Sequence, residues 1–208
     1  MLKQEARKEE GRNNERSRVV LISGSSTGIG HEVVQRLTKS GYAVVATARN
    51  PVTIDNVQAT LKLPLSVTQQ DSTTKAVEST IQRFGRIDVL VNNAGYAVRG
   101  AVEEISDEQV QKMFDVNVFG VMRMIRTVAP YMRQQRAGRI ISIGSIGGKL
   151  ASPVNGTYSA TKFALEALSM PCDWSWQVLT FRLCAHRTRK YPNKFCFYGS
   201  RPSGSDLL

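Results

Sequence analysis

The chain has 208 residues, 41% hydrophobic and 22% charged, a balance that builds one sizeable α/β core and excludes disorder throughout. The formal net charge of +11 is spread along the chain with no dense basic stripe, so no nucleic-acid partner is expected; the milder implication is attraction to acidic small molecules such as a phosphorylated cofactor. No apolar run approaches the roughly 20 residues that span a bilayer, and the charged N-terminus lacks the apolar core of a secretory signal, so a cytoplasmic protein without a transmembrane segment is expected.

Residues 1–17 carry charge without apolar periodicity and read as a flexible leader. Val19 to Ile22 is an unbroken apolar run, the pattern of a parallel strand buried on both faces. It breaks into a loop of small residues holding Gly24, Ser26, Gly28 and Gly30. Ile29, Val33 and Leu37 then recur every four residues, one face of a helix that Gly41 can stop. A strand, a glycine turn and a helix together bring a pyrophosphate against backbone N–H groups at a helix N-terminus. The spacing is G-x-x-x-G-x-G rather than G-x-G-x-x-G, and taken alone it is a weak signal, since three glycines in such a turn can also serve packing only.

A second apolar run, Tyr42 to Thr47, ends in Ala48-Arg49-Asn50-Pro51. Leu61 to Leu65 is a third strand, and Pro64, which cannot donate to a ladder, places it at a sheet edge. Ser72 to Phe84 is helical. Ile87 to Val91 is a fourth strand running into Asn92-Asn93-Ala94-Gly95. Ser106 caps a helical region reaching about Gln135, with a break expected near Pro130. Arg139 to Ile143 is a fifth strand ending in Gly144-Ser145, and a last helix is expected from near Asn155 to about Ser169. Strands alternating with helices predict an α/β fold with a doubly wound parallel sheet. The three cysteines, Cys172, Cys184 and Cys196, lack C-x-x-C pairing, so neither a disulfide framework nor a metal site is expected.

Several short patterns fall in one order: the glycine turn, Asn92-Asn93-Ala94-Gly95 after a strand, Asn117 in the next helix, Ser145 after the fifth strand, and Tyr158 and Lys162 one helical turn apart. Together they resemble the short-chain dehydrogenase/reductase family over roughly residues 18–169. The resemblance implies a Rossmann-like domain and an oxidoreductase that interconverts a ketone or aldehyde and an alcohol. It assigns catalysis to Asn117, Ser145, Tyr158 and Lys162. It assigns cofactor binding to Gly24, Ser26, Gly28, Ile29, Gly30, Ser66, Asn92, Ala94, Gly95, Tyr158 and Lys162.

The chemistry fits those residue types. Reducing a carbonyl needs a hydride donor, a proton donor for the developing alkoxide, and a group to hold the oxygen. A lysine ammonium one turn from a tyrosine favours phenolate and suits the tyrosine to act as acid and base. By resemblance Ser145 holds the substrate oxygen, Lys162 also holds the nicotinamide ribose, and Asn117 supports a water that relays protons. Cofactor choice turns on the end of the second strand, where family members that use NAD usually place an acid. This chain has Ala48 and then Arg49, whose guanidinium can clamp a 2′-phosphate, so NADP is expected. Ser66-Val67 stands where the family usually carries Asp-Val; a serine can still hydrogen-bond there.

From residue 170 to 208 the family pattern stops. Both tryptophans and all the cysteines lie in this tail, and no Pro-Gly turn appears. The expectation is a truncated or altered member, lacking the family's usual last strands, with an atypical and partly disordered tail arising from splicing or a shifted frame. Within the tail, Val178 to Leu183 alternates and is expected to pair beside Arg139–Ile143 as a substitute sixth strand. The last helix is expected to end by Pro171, and the chain beyond about Arg187 to be poorly ordered. Two functional readings follow. One is an NADP-dependent oxidoreductase on a small-molecule carbonyl/alcohol pair, retinoid, steroid or lipid-like by similarity of the stretches around Tyr158 and Arg49. The other is a catalytically silent member that binds only cofactor or partner subunits. A homo-oligomer is open in both.

Overall fold

The computed structural model describes residues 17–168, 177–184 and 196–198. Its centre is β1 (Val19–Ile22), all four residues of which are buried. Val19 and Leu21 point into one core cluster and Val20 and Ile22 into another. Residues alternating between two cores mean a sheet covered on both sides, which is why the run has no polar positions.

The helix α1 (Gly28–Lys39) covers one face through Val34. On the other face lie α2 (Gln70–Phe84), through Ala76 and Val77, and α4 (Gly120–Gln135), through Met124, Val128 and Met132. The remaining strands are β2 (Ala43–Ala48), β3 (Leu61–Pro64), β4 (Val89–Asn92), β5 (Arg139–Ile143), β6 (Gln177–Cys184) and β7 (Cys196–Tyr198). The helices are completed by α3 (Asp107–Phe114) and α5 (Gly156–Leu168).

The sheet order is β3-β2-β1-β4-β5-β6-β7, with β1 to β6 parallel and β7 antiparallel. The chain winds outward from β1 through β2 to β3, then returns to the other side of β1 with β4. That reversal opens a crevice at the carboxyl ends of β1 and β4, where ligands of doubly wound sheets bind. Ile22 pairs with Val91 at its floor. The fold class expected from the sequence is therefore the one observed, and β3 sits at the sheet edge with Pro64 opposite Ala48.

The expected pairing of the tail with β5 is also present: Ile140 lies opposite Val178 and Ile143 opposite Phe181. Beyond Arg187, Cys196–Tyr198 pairs antiparallel with β6; the rest of that segment, the leader 1–16 and the chain around Pro171 lie outside the described residues. Among the described residues no helix is long and apolar enough to cross a membrane.

Two expectations are corrected. The helical region after Ser106 does not break at Pro130, which lies inside α4. Pro130 and Arg126, whose carbonyl loses its donor, are both exposed, so water can serve that carbonyl. The irregularity comes earlier, as a π-helical turn at Asp115–Phe119 between α3 and α4. The second correction is β4, which starts at Val89 rather than Ile87. The Ile87 N–H is taken by Gln135 Oε1 at 3.0 Å, and the Asp88 carboxylate receives the Val19 N–H at 2.7 Å.

Candidate active site

A cleft of about 840 Å³ opens at the crevice. The first turn contributes Gly24, Ser26, Gly28 and Ile29. Arg49 stands beyond β2, Ser66 beyond β3, Ala94 and Gly95 beyond β4, and Tyr158 and Lys162 on α5. These ten expected residues meet in one space although they span the sequence from 24 to 162. Gly30, Asn92, Asn117 and Ser145 do not line it.

The glycine turn has two separate requirements. Gly28, at φ +59°, lines the cleft, and a Cβ there would meet no protein atom within 4 Å. Gly30 is the reverse case: its Cβ would run into the Gly24 carbonyl oxygen and the Asn93 amide. Gly30 thus serves packing between the turn and the loop after β4. That loop is latched in place by Ser23 Oγ, which accepts from the N–H groups of Asn93 (3.0 Å) and Ala94 (3.1 Å). Asn93 Nδ2 returns bonds to the carbonyls of Ser23 (3.1 Å) and Gly24 (2.7 Å). Asn92 is buried inside the sheet and donates to Ser142 Oγ at 3.4 Å.

The residues present fit a dinucleotide. The N-cap of α1, Thr27, makes no side-chain capping bond, so the first-turn N–H groups lack that acceptor at the positive end of the helix dipole. Among the described residues no carboxylate lines the cleft, and Arg49 does, exposed to solvent.

At the other end, α5 presents Tyr158, half-buried, and Lys162, 8% exposed. Lys162 Nζ donates to the Ile143 carbonyl at 2.8 Å and lies 5.8 Å from the centroid of the Tyr158 ring. Burial pushes the Lys162 ammonium down to about 8. Ser145 Oγ accepts from Gly147 N–H at 3.1 Å. A Cβ at Gly147 would lie 3.4 Å from Ser145 Oγ and from Tyr158 Cε1 alike, so those two side chains flank one spot.

Asn117 sits in the π turn, 1% exposed. Its Oδ1 accepts from Tyr96 N–H at 3.1 Å, and its Nδ2 donates to the Tyr96 carbonyl (2.9 Å) and to Thr161 Oγ1 (3.1 Å). Thr161 in turn donates to the Tyr158 carbonyl at 2.7 Å. Asn117 therefore clamps the loop after β4 to the helix that carries Tyr158. Thr161 and Asn93 were not singled out from the sequence as site residues. The signal for Thr161 was a small hydroxyl within the Tyr158–Lys162 turn, on a face the helix buries.

The family model for short chain dehydrogenases matches residues 18–177. A 3-ketodihydrosphingosine reductase of Bacteroides thetaiotaomicron is 43% identical over 151 residues, covering 73% of this chain and 55% of that protein. An uncharacterized oxidoreductase of Staphylococcus saprophyticus is 36% identical over 164 residues, 76% of this chain and 66% of that one. The chain thus spans about half to two thirds of the length of these relatives. Among solved structures, a gluconate 5-dehydrogenase from Burkholderia cenocepacia in complex with NADP and tartrate superposes with a TM-score of 0.73 at 29% identity, over 83% of this chain and 73% of that one. A 3-ketoacyl-(acyl-carrier-protein) reductase from Brucella melitensis complexed with NADH gives 0.71 at 28% identity, over 74% and 68%. With the glycine turn, the loop after β4 and the Tyr158–Lys162 pair converging on one cleft, and with this match along most of its length, the chain belongs to the short-chain dehydrogenase family.

Proposed function

We propose that this chain is an NADP-dependent oxidoreductase that interconverts a small-molecule ketone or aldehyde and the corresponding alcohol. The observation that carries the reading is that Tyr158 and Lys162 line the same cleft as the glycine turn. Bound NADP(H) would supply or accept the hydride. The α1 N-terminus, the glycine turn and Arg49 would hold its phosphates, and Ser66 and the loop from Ala94 would border its adenosine.

The chain's own groups divide the remaining work. Tyr158 hydroxyl gives its proton to the developing alkoxide in reduction and takes it back in oxidation. Ser145 Oγ already accepts from Gly147 N–H, which leaves its own proton free to donate to the substrate oxygen. Lys162 is fixed by Ile143 and places a positive charge beside the Tyr158 ring. Asn117 spends both amide hydrogens on Tyr96 and Thr161, so its side chain ties the loop after β4 to the helix that carries Tyr158. The relative named 3-ketodihydrosphingosine reductase favours a lipid-like ketone as substrate.

The test is NADPH oxidation by the purified protein with 3-ketodihydrosphingosine and simple ketones, beside Tyr158→Phe. Ketone-dependent oxidation is expected, with a loss of about 10²–10⁴-fold in the variant. Nucleotide binding without oxidation for any ketone, or full activity in Tyr158→Phe, would overturn the catalytic reading.

A further inference from the structure

We infer that Arg123 links the adenosine side of the cleft to the catalytic helix. The link rests on the nucleotide reading above for its function, and on geometry for its existence. Arg123 is half-buried in the first turn of α4. Its Nη2 donates to Asp115 Oδ1 at 2.7 Å. Its Nη1 donates to the Val67 carbonyl at 3.2 Å and reaches the Asp115 carbonyl at 3.4 Å. Asp115 opens the π turn, and Val67 belongs to the loop after β3 that lines the cleft with Ser66 and Thr68.

The contact between loop and turn is close without the arginine as well. A Cβ at Gly120 would stand 2.7 Å from Val67 Cγ2, so glycine lets the loop press against the start of α4. The wide π turn leaves the Asp115 carbonyl shared between Gly120 N–H and Arg123. One guanidinium therefore fixes both sides of a tight junction. A lysine has one nitrogen and could not reach these three acceptors in a fixed fork.

From that junction the connection runs on. Val116 lines the cleft, and Asn117 follows it. Asn117 bonds Thr161, and Thr161 bonds the Tyr158 carbonyl. A displacement of the Ser66–Thr68 loop by adenosine is thus passed through Arg123 to the π turn, and through Asn117 and Thr161 to the base of Tyr158. Arg123 is a positioning residue, touching neither substrate nor cofactor. If it only braced the π turn, its bond to Val67 would have no consequence, and that difference is measurable.

The experiment is hydrogen exchange on the full chain with and without 2′,5′-ADP, which carries the adenosine end and no nicotinamide. In the wild type, 2′,5′-ADP should slow exchange at 66–68 and also at 115–119. In Arg123→Met the protection at 66–68 should remain while that at 115–119 is lost, and ketone turnover should fall about tenfold in kcat with little change in the KM for ketone. Arg123→Lys should recover part of the loss. Protection at 115–119 that survives in Arg123→Met overturns the link, as does loss of protection across β1 and β4, which would mark a purely structural role. Should 2′,5′-ADP protect nothing in the wild type, the nucleotide reading falls, and the unliganded protein decides the link. Faster exchange at 66–68 and 115–119 together in Arg123→Met supports it; a change in one segment alone overturns it.

Discussion

Lys162 reaches from α5 to the last residue of β5 and donates to the Ile143 carbonyl at 2.8 Å. That bond ties α5 to the end of β5. It also holds a cation almost out of water, and burial lowers its pKa to about 8 from an ordinary 10.5. Between those values the unfolded chain binds more protons than the folded one, so the contribution of Lys162 to stability becomes more favourable as pH rises from about 8 to 10.5. Unfolding stability of the wild type and Lys162→Met, compared from pH 7 to 10, should show the variant's relative advantage shrinking across that window. A pH-independent difference would mean that Lys162 is not desolvated. Cofactor binding should move the other way and weaken above about pH 8, as the charge is lost.

Gly28 and Gly30 separate binding from packing. Gly28→Ala adds a methyl group at a position open to the cleft, with a left-handed backbone cost of about 1 kcal/mol. The fold should survive and nucleotide binding should fall by at least tenfold. Gly30→Ala drives a methyl group into the Gly24 carbonyl and Asn93, a backbone clash costing about 1–3 kcal/mol or more. It should lower thermal stability whether or not nucleotide is present. Equal melting temperatures for the two variants would remove the distinction.

Arg49 lines the cleft beyond β2, with no carboxylate in the lining among the described residues. Arg49→Asp puts a carboxylate where the proposed function places the 2′-phosphate's partner, and the charge would repel that phosphate. The ratio of NADPH to NADH affinity should fall by about tenfold or more, read by fluorescence titration of both nucleotides. An unchanged ratio would take Arg49 out of this role.

The parts of the fold written in local pattern were legible. Val19 to Ile22 could only be a strand buried on both faces, and Pro64 could only lie at an edge. Tyr158 and Lys162 are four residues apart, so their common face follows from helix geometry alone. Pro130 misled because propensity was weighed without burial: Val128 and Met132 are buried on either side of it and hold the helix through the proline. Thr161 and Arg123 were illegible for another reason. Their partners, Asn117 and Val67, lie 44 and 56 positions away, and only the folded sheet brings them together. The π turn has no signature in composition, although its consequence, the buried Asn117, was marked by family resemblance.

The most direct test of the account is heat unfolding of the purified chain with increasing NADPH. A ligand that binds only the folded state at a hundredfold its Kd adds about 2.7 kcal/mol, which for a chain of this size raises the midpoint by roughly 5–10 °C. A saturable rise of that order is expected, larger for NADPH than for NADH and cut by about half or more in Gly28→Ala. A midpoint unmoved by millimolar NADPH or NADH would contradict it.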